Sequence, residues 1–181
     1  MLKILKVPDP RLRIKAKELK FIDKEINLIL GEMKELMYEA DGIGLAATQV
    51  GIHFRIFTFD TSEEKNSPQV AINPKIISKS QEKIEFEEGC LSIPGLRLPI
   101  KRAKKIIVRW IDEKGNEHQN ELENLESVLF QHEIDHLDGK LIIDKLPPEE
   151  RKKILSLFSK RAELSEKELS DIDSLLRNEQ K

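Results

Sequence analysis

The chain is poor in the features that define several large protein classes. It has one cysteine in 181 residues, Cys90, so no internal disulfide can form. Its apolar runs last only a few residues, too short for a membrane span. Lysines interrupt the opening, Met1-Leu2-Lys3-Ile4-Leu5-Lys6, before a signal-peptide core develops. Neither sign of charge dominates: 31 basic side chains face 33 acidic ones, a formal net charge of -2, which leaves no basic footprint for nucleic acid. Repeats and low-complexity stretches are absent. The expectation is a cytoplasmic protein with no membrane partner and no sequence-specific nucleic-acid partner. At 39% hydrophobic and 35% charged, the chain can build one sizeable core under a charged surface.

Local signals then lay out the elements. Asp9-Pro10 predicts a short helical or irregular segment, with Asp9 as cap and Pro10 in the first helical position. Asp23 caps a clearer helix, in which Ile26, Ile29, Leu30, Met33, Leu36, Met37 and Ala40 keep helical spacing until Asp41-Gly42. Alternation predicts strands over residues 53–60, 70–72, 76–80 and 83–86, with Pro74 breaking the middle pair and residues 61–68 forming a polar loop. Residues 87–95 lack a helical period and read as a compact turn. Residues 105–111 and 117–122 flank Asp112-Glu113-Lys114-Gly115-Asn116, a hairpin signal. Pro147-Pro148 opens a C-terminal helix along Ile154, Leu155, Leu157 and Phe158, and Ser165-x-x-Glu168 is a capping box for another.

The most informative stretch is Gln131-His132-Glu133-Ile134-Asp135-His136. On a helix, residues four apart share a face, so His132 and His136 can converge on one ion. Glu133, turned by about 100°, would stand beside that ion, placed to take a proton from metal-bound water. Leu125, Val128, Leu129, His132 and His136 form one stripe, with Asn124 as a plausible N-cap and Gly139 as a stop. The motif is short enough to arise by chance, and two hydrogen-bonded core histidines are the plain alternative. Cys90 supplies what would decide between them. Two histidines and a thiolate make three protein ligands and leave a fourth position open, as in catalytic centres. His53 and His118 lack ligand neighbours and read as surface or structural. The element order predicts an α+β fold: antiparallel or mixed sheets around a central metal-binding helix, with an N-terminal and a C-terminal helix.

Three motifs, Gly42-Ile43-Gly44-Leu45-Ala46-Ala47-Thr48-Gln49, Glu88-Gly89-Cys90-Leu91-Ser92 and Gln131 through His136, resemble in order the signatures of the peptide deformylases. Thr48 stands where that family often has proline, though threonine is also common there. The resemblance reaches to about residue 160. It divides the chain into a catalytic domain, 1–164, and a charged helical tail, 165–181.

The resemblance implies removal of the N-formyl group from the initiator methionine of nascent polypeptides, releasing formate, in a bacterial cytoplasm. A place near the ribosomal exit tunnel would suit that substrate. It implies one divalent ion held by Cys90, His132 and His136, with Fe2+ favoured and Zn2+, Ni2+ or Co2+ able to substitute. Glu133 would be general base and then acid. The Gln49 amide and the Leu91 backbone N–H would stabilise the oxyanion, while Ile43, Gly44 and Gly89 would pair with the substrate main chain. A methionine pocket would draw on Leu125, Val128, Leu129, Ile43 and Phe86, for each of which core packing is the alternative. Arg97 is a candidate contact for the substrate chain, or a solvated arginine. A zinc peptidase and a non-catalytic metal-stabilised binding module also remain. The first is disfavoured by the upstream cysteine and by the lack of a zincin-type third ligand downstream. The second would need a fourth protein ligand.

Overall fold

The computed structural model describes residues 1–161. The tail 165–181, with its expected capping box, lies outside the described residues.

The N-terminal signals act as expected. The Asp9 carboxylate accepts from the Arg11 N–H at 2.9 Å and starts a 3-10 turn over Pro10–Arg13. The Asp23 carboxylate accepts from the Ile26 N–H at 2.8 Å and caps α1, Lys24–Glu39. Such a cap satisfies one of the donors a helix start leaves unpaired. Ile26, Leu30, Met33 and Met37 form the buried side of α1.

Five antiparallel strands make the main sheet, in the order β1 (Gly44–Ala46), β2 (Ile56–Phe59), β3 (Gln69–Lys79), β6 (Lys105–Ile111) and β7 (Glu117–Glu123). The other two, β4 (Lys83–Cys90) and β5 (Ile93–Ala103), pair only with each other. Side chains alternate across a strand, so the main sheet has two faces to cover. One face, with Leu45, Ile56, Val70 and Ile72, packs on α1. The other, with Ala46, Phe57, Phe59, Ala71, Ile106, Val108 and Trp110, packs on Leu129, Phe130, Ile134 and Leu137 of α2, Asn124–Leu137. Phe130 is the hub, with ring centroids 4.9 Å from Phe57, 4.9 Å from Phe59 and 5.1 Å from Trp110. Covered on both faces, β2 is buried along its whole length. A third cluster joins the β4–β5 ribbon to the N-terminal segment and to α3, Pro148–Arg161. This is the expected α+β arrangement around a central helix, with every strand pair antiparallel. No helix among the described residues is long and apolar enough to cross a membrane.

Several local expectations need correction. The strand expected over 53–60 is only the four residues of β2. The strands expected on either side of Pro74 are one strand, β3. Its register shifts between Ile72 and Lys75, and Asn73 adopts φ 50 while its side chain bonds the Leu19 N–H and carbonyl at 2.8 Å each. A bulge leaves a residue outside the ladder, where proline's missing N–H does no harm. Cys90 is not in a free turn. It ends β4, and Leu91-Ser92 reverses the chain directly into β5. Asn124 does not cap α2: it opens the helix at φ 51, and Glu123 occupies the cap position without a side-chain bond. The Leu125-to-His136 stripe does not face a single surface: its Leu129 packs against the sheet together with Phe130, Ile134 and Leu137, while its histidines face the ribbon. Gly139 does end the helix, at φ 72.

Candidate active site

Three separate segments bring the site together. The first is β1 with the 3-10 turn Ala47–Val50. Its Gln49 is held by the N-terminal strap, through the Leu5 N–H donating to the Gln49 carbonyl at 2.7 Å. The Gln49 side-chain oxygen accepts from the Ala46 N–H at 2.9 Å. This leaves its Nε2 to reach Ser92 Oγ at 3.1 Å and Cys90 Sγ at 3.8 Å. The second segment is the end of β4, which presents Cys90. The third is α2, with His132 and His136 one turn apart.

Cys90 Sγ lies 3.3 Å from His136 Nε2, which lies 3.2 Å from His132 Nε2. One ligand atom from each of the three residues falls within 4.8 Å of the others. Three such atoms this close need a shared hydrogen or a positive charge among them. Burial works against charge on His132, but its hydrogen bonds with Cys90 and Glu88 prevail and push its pKa up to about 10. A proton is thus one way to satisfy the cluster, and a divalent cation is a stronger one. Thiolate with two imidazoles is a borderline-soft donor set that suits several first-row divalent ions. His132 Nδ1 donates to Glu88 Oε2 at 2.8 Å, which turns the Nε2 lone pair toward the cluster. The residues present therefore fit a metal ion.

Glu133 directly follows His132 and is turned toward Gly44 of β1. It is 4% exposed, and its Oε2 is buried without a hydrogen-bond partner. Burial pushes its pKa up to about 7, against the pull of His132 and Arg102. A methyl group built on Gly44 would stand 2.4 Å from Glu133 Oε1, so the glycine is flush with the carboxylate. Glu133 is thus a buried carboxylate poised near neutrality, between the cluster and the open edge of β1. Its hydrogen-bond capacity is not exhausted by the protein.

The remaining sequence candidates fall around this centre. Leu91 directly follows Cys90, and its Cδ1 would lie 2.9 Å from a methyl on Gly42. Ile43 is half-buried, its carbonyl taken by the Asp60 N–H at 2.9 Å. Gly89 is exposed and opposite Arg97 in the ribbon, and the exposed Arg97 leans back to the Glu87 carbonyl at 3.4 Å. Phe86 is half-buried on β4. On α2, Val128 is buried and Leu125 is 39% exposed, while Leu129 belongs to the sheet-side core. His53 contacts the Arg11 carbonyl, and His118 pairs with Asp112 and stacks on Trp110, so neither joins the cluster. Sequence reasoning assigned no role to Glu88, Ser92 or Thr48, whose hydroxyl donates to the His136 carbonyl at 3.1 Å. Glu88 stood inside a quoted motif, two residues before the cysteine, and a carboxylate there was a usable signal.

The sequence model described as Polypeptide deformylase matches residues 1–152. The chain belongs to the polypeptide deformylase family. The peptide deformylase of Xylella fastidiosa (strain M12) is 49% identical over 154 residues, covering 83% of this chain and 90% of that one. The crystal structure of a peptide deformylase from Legionella pneumophila superposes with a TM-score of 0.82 at 38% identity, covering 91% of this chain and 99% of that one. That of the Ehrlichia chaffeensis peptide deformylase in complex with actinonin does so with a TM-score of 0.84 at 37% identity, covering 89% and 97%. The motifs that suggest a deformylase in the sequence are therefore the segments that meet in space.

Proposed function

We propose that this deformylase hydrolyses the N-formyl group from the N-terminal methionine of newly made polypeptides, releasing formate. The observation that carries the reading is Glu133: a buried carboxylate with one unpartnered oxygen, beside a Cys–His–His cluster and flush against Gly44. Cys90, His132 and His136 would hold one divalent ion, which we assign as Fe2+, with Zn2+, Ni2+ or Co2+ as substitutes. When bound, such an ion supplies Lewis acidity and lowers the pKa of water towards ~7.

The chain's own groups account for the rest. Glu133 takes a proton from the attacking water as its oxygen bonds to the formyl carbon. It returns that proton to the departing nitrogen as the C–N bond breaks, giving formate and a free amine. The Gln49 Nε2–H and the Leu91 N–H serve as oxyanion donors; removing one such donor typically costs about 10²–10³ in rate. β1 lies at the edge of its sheet, paired to β2 on one side only. An extended peptide would add there as a strand, through Ile43 and Gly44 and across to Gly89. That mode reads main chain and tolerates varied sequences. Phe86, Leu125, Val128, Leu129 and Ile43 would shape the methionine pocket, and Arg97 would meet the substrate further along. The substrate is made at the ribosome of a bacterial cytoplasm. The exposed Lys152 and Lys153 on α3 support docking near the exit tunnel.

The test is formate release by anaerobically prepared, iron- or nickel-loaded protein from a formyl-Met peptide, with the acetyl-Met peptide and Glu133→Gln as controls. Release from the formyl peptide alone, abolished in Glu133→Gln with metal retained, is expected. No release from metal-replete protein refutes the proposal, and cleavage of unformylated peptides would favour a peptidase.

A further inference from the structure

Arg102 lies on β5, outside all three motifs, and is 5% exposed. Its Nε and Nη2 donate to the two oxygens of Glu88 at 2.5 and 2.9 Å, and its Nη1 donates to Asp135 Oδ2 at 2.8 Å. Glu88 stands two residues before Cys90 on β4 and also accepts from His132 Nδ1. Asp135 directly precedes His136 on α2. One guanidinium therefore grips both elements that carry the cluster, and through Glu88 it reaches the ring of His132.

Buried ion pairs are weak contributors to stability, because desolvating the charges offsets much of their attraction. A triad as buried as this one is better explained by the geometry it imposes. The planar fork of arginine grips one carboxylate with two parallel bonds and has a further N–H for a second. A lysine ammonium cannot match that span. Groups behind a metal ligand commonly change metal affinity by about 10–100-fold when removed.

We propose that Arg102 is a positioning residue for the metal centre. By bridging Glu88 and Asp135 it sets the orientation of His132 and the spacing between the strand carrying Cys90 and the helix carrying both histidines. The inference rests on the reading of Cys90, His132 and His136 as metal ligands.

The test uses Co2+ as the probe. The full chain, stripped of metal, is titrated anaerobically with Co2+, following the thiolate-to-cobalt charge-transfer and d–d absorption bands; competition with a chelator gives the affinity. Arg102→Met is expected to weaken Co2+ binding by about 10–100-fold and to alter the d–d bands. Arg102→Lys should restore only part of that loss. Asp135→Asn, which takes the charge out of the helix arm and with it the 3.7 Å pair to Lys145, should show a smaller loss of the same kind, and it carries the test if Arg102→Met does not fold. Arg55→Met, which breaks the 2.7 Å ion pair with Asp138 near the end of the same helix, should leave affinity and spectrum unchanged. Affinities within threefold of wild type for Arg102→Met and Asp135→Asn would overturn the proposal, as would an equal loss in Arg55→Met. Wild-type protein that gives no thiolate-to-cobalt band would instead overturn the ligand assignment itself.

Discussion

Gly44→Ala places a methyl group where the Glu133 carboxylate now lies. The new Cβ would stand 2.4 Å from Oε1, 3.0 Å from Cδ and 3.3 Å from Cγ. Ordinary contact begins near 3.4 Å, so the carboxylate must retreat by about 1 Å. The backbone of Gly44 does not need positive φ, and alanine in a strand restricts the unfolded chain, so folding should be nearly unaffected. Catalysis should respond differently, since a misplacement of about 1 Å can cost ~10²-fold in rate. The expected result is a fall of about 100-fold in kcat/KM for formate release, at near-wild-type Tm and metal content. Gly42→Ala is the matched comparison. Its new methyl meets the flexible end of Leu91 at 2.9 Å and the Met37 carbonyl at 3.3 Å rather than the carboxylate, and the loss should stay under about tenfold. Gly44→Ala protein within threefold of wild type would refute the assignment of Glu133 as the proton carrier at that edge.

Other perturbations test different parts of the structure. Burial pushes the Glu133 carboxyl up to about 7, and a base must be ionised, so kcat/KM should rise with pH and fade as pH falls through its midpoint. A cation in the cluster favours the anion, so that midpoint should lie at or below about 7; an acid limb centred above 8 contradicts this. Asp60 is buried and accepts from the Tyr38 hydroxyl, the Ser62 N–H and hydroxyl, and the Ser67 N–H. Burial opposes its charge, but these bonds prevail and hold its pKa down at about 2. Asp60→Asn should therefore destabilise by roughly 1–3 kcal/mol at pH 7. Because the folded pKa is depressed, the wild-type advantage is full above pH 4 and shrinks as pH falls towards 2; melts showing a pH-independent gap would contradict it. Arg97→Ala should raise KM for longer formyl peptides by up to about fivefold with kcat unchanged, and an equal loss in both would place Arg97 in the chemistry instead.

The site was more legible in the sequence than the strands that carry it. His132, Glu133 and His136 are close in sequence, and helical geometry alone brings the histidines together. Cys90 and Gln49 are remote, and only the ordered motifs linked them to the helix. Arg102 gave no signal, because its partners lie 14 and 33 residues away and a lone arginine on a strand looks solvated. The β5 strand was missed because Pro94, Gly95 and Pro99 read as turn residues. A two-stranded ribbon tolerates such residues, since each of its strands carries a ladder on one side only. The histidine stripe is periodic, but its members divide between the sheet and the ribbon. That helix is buried on two sides, and periodicity cannot say which side meets the sheet.

The β4–β5 ribbon shares no ladder with the five-stranded sheet. An ion bound by Cys90, His132 and His136 would tether it to α2, closing a loop between residues 90 and 132 across the two layers. In a chain with a single cysteine, this is the covalent-like crosslink that a disulfide would otherwise provide. Held by the folded chain and released on unfolding, the ion would favour the folded state in proportion to how tightly it is bound. The same atoms would then serve as catalyst and as clasp. Stripping the ion should lower the melting temperature as well as abolish turnover, and should loosen the ribbon before the main sheet.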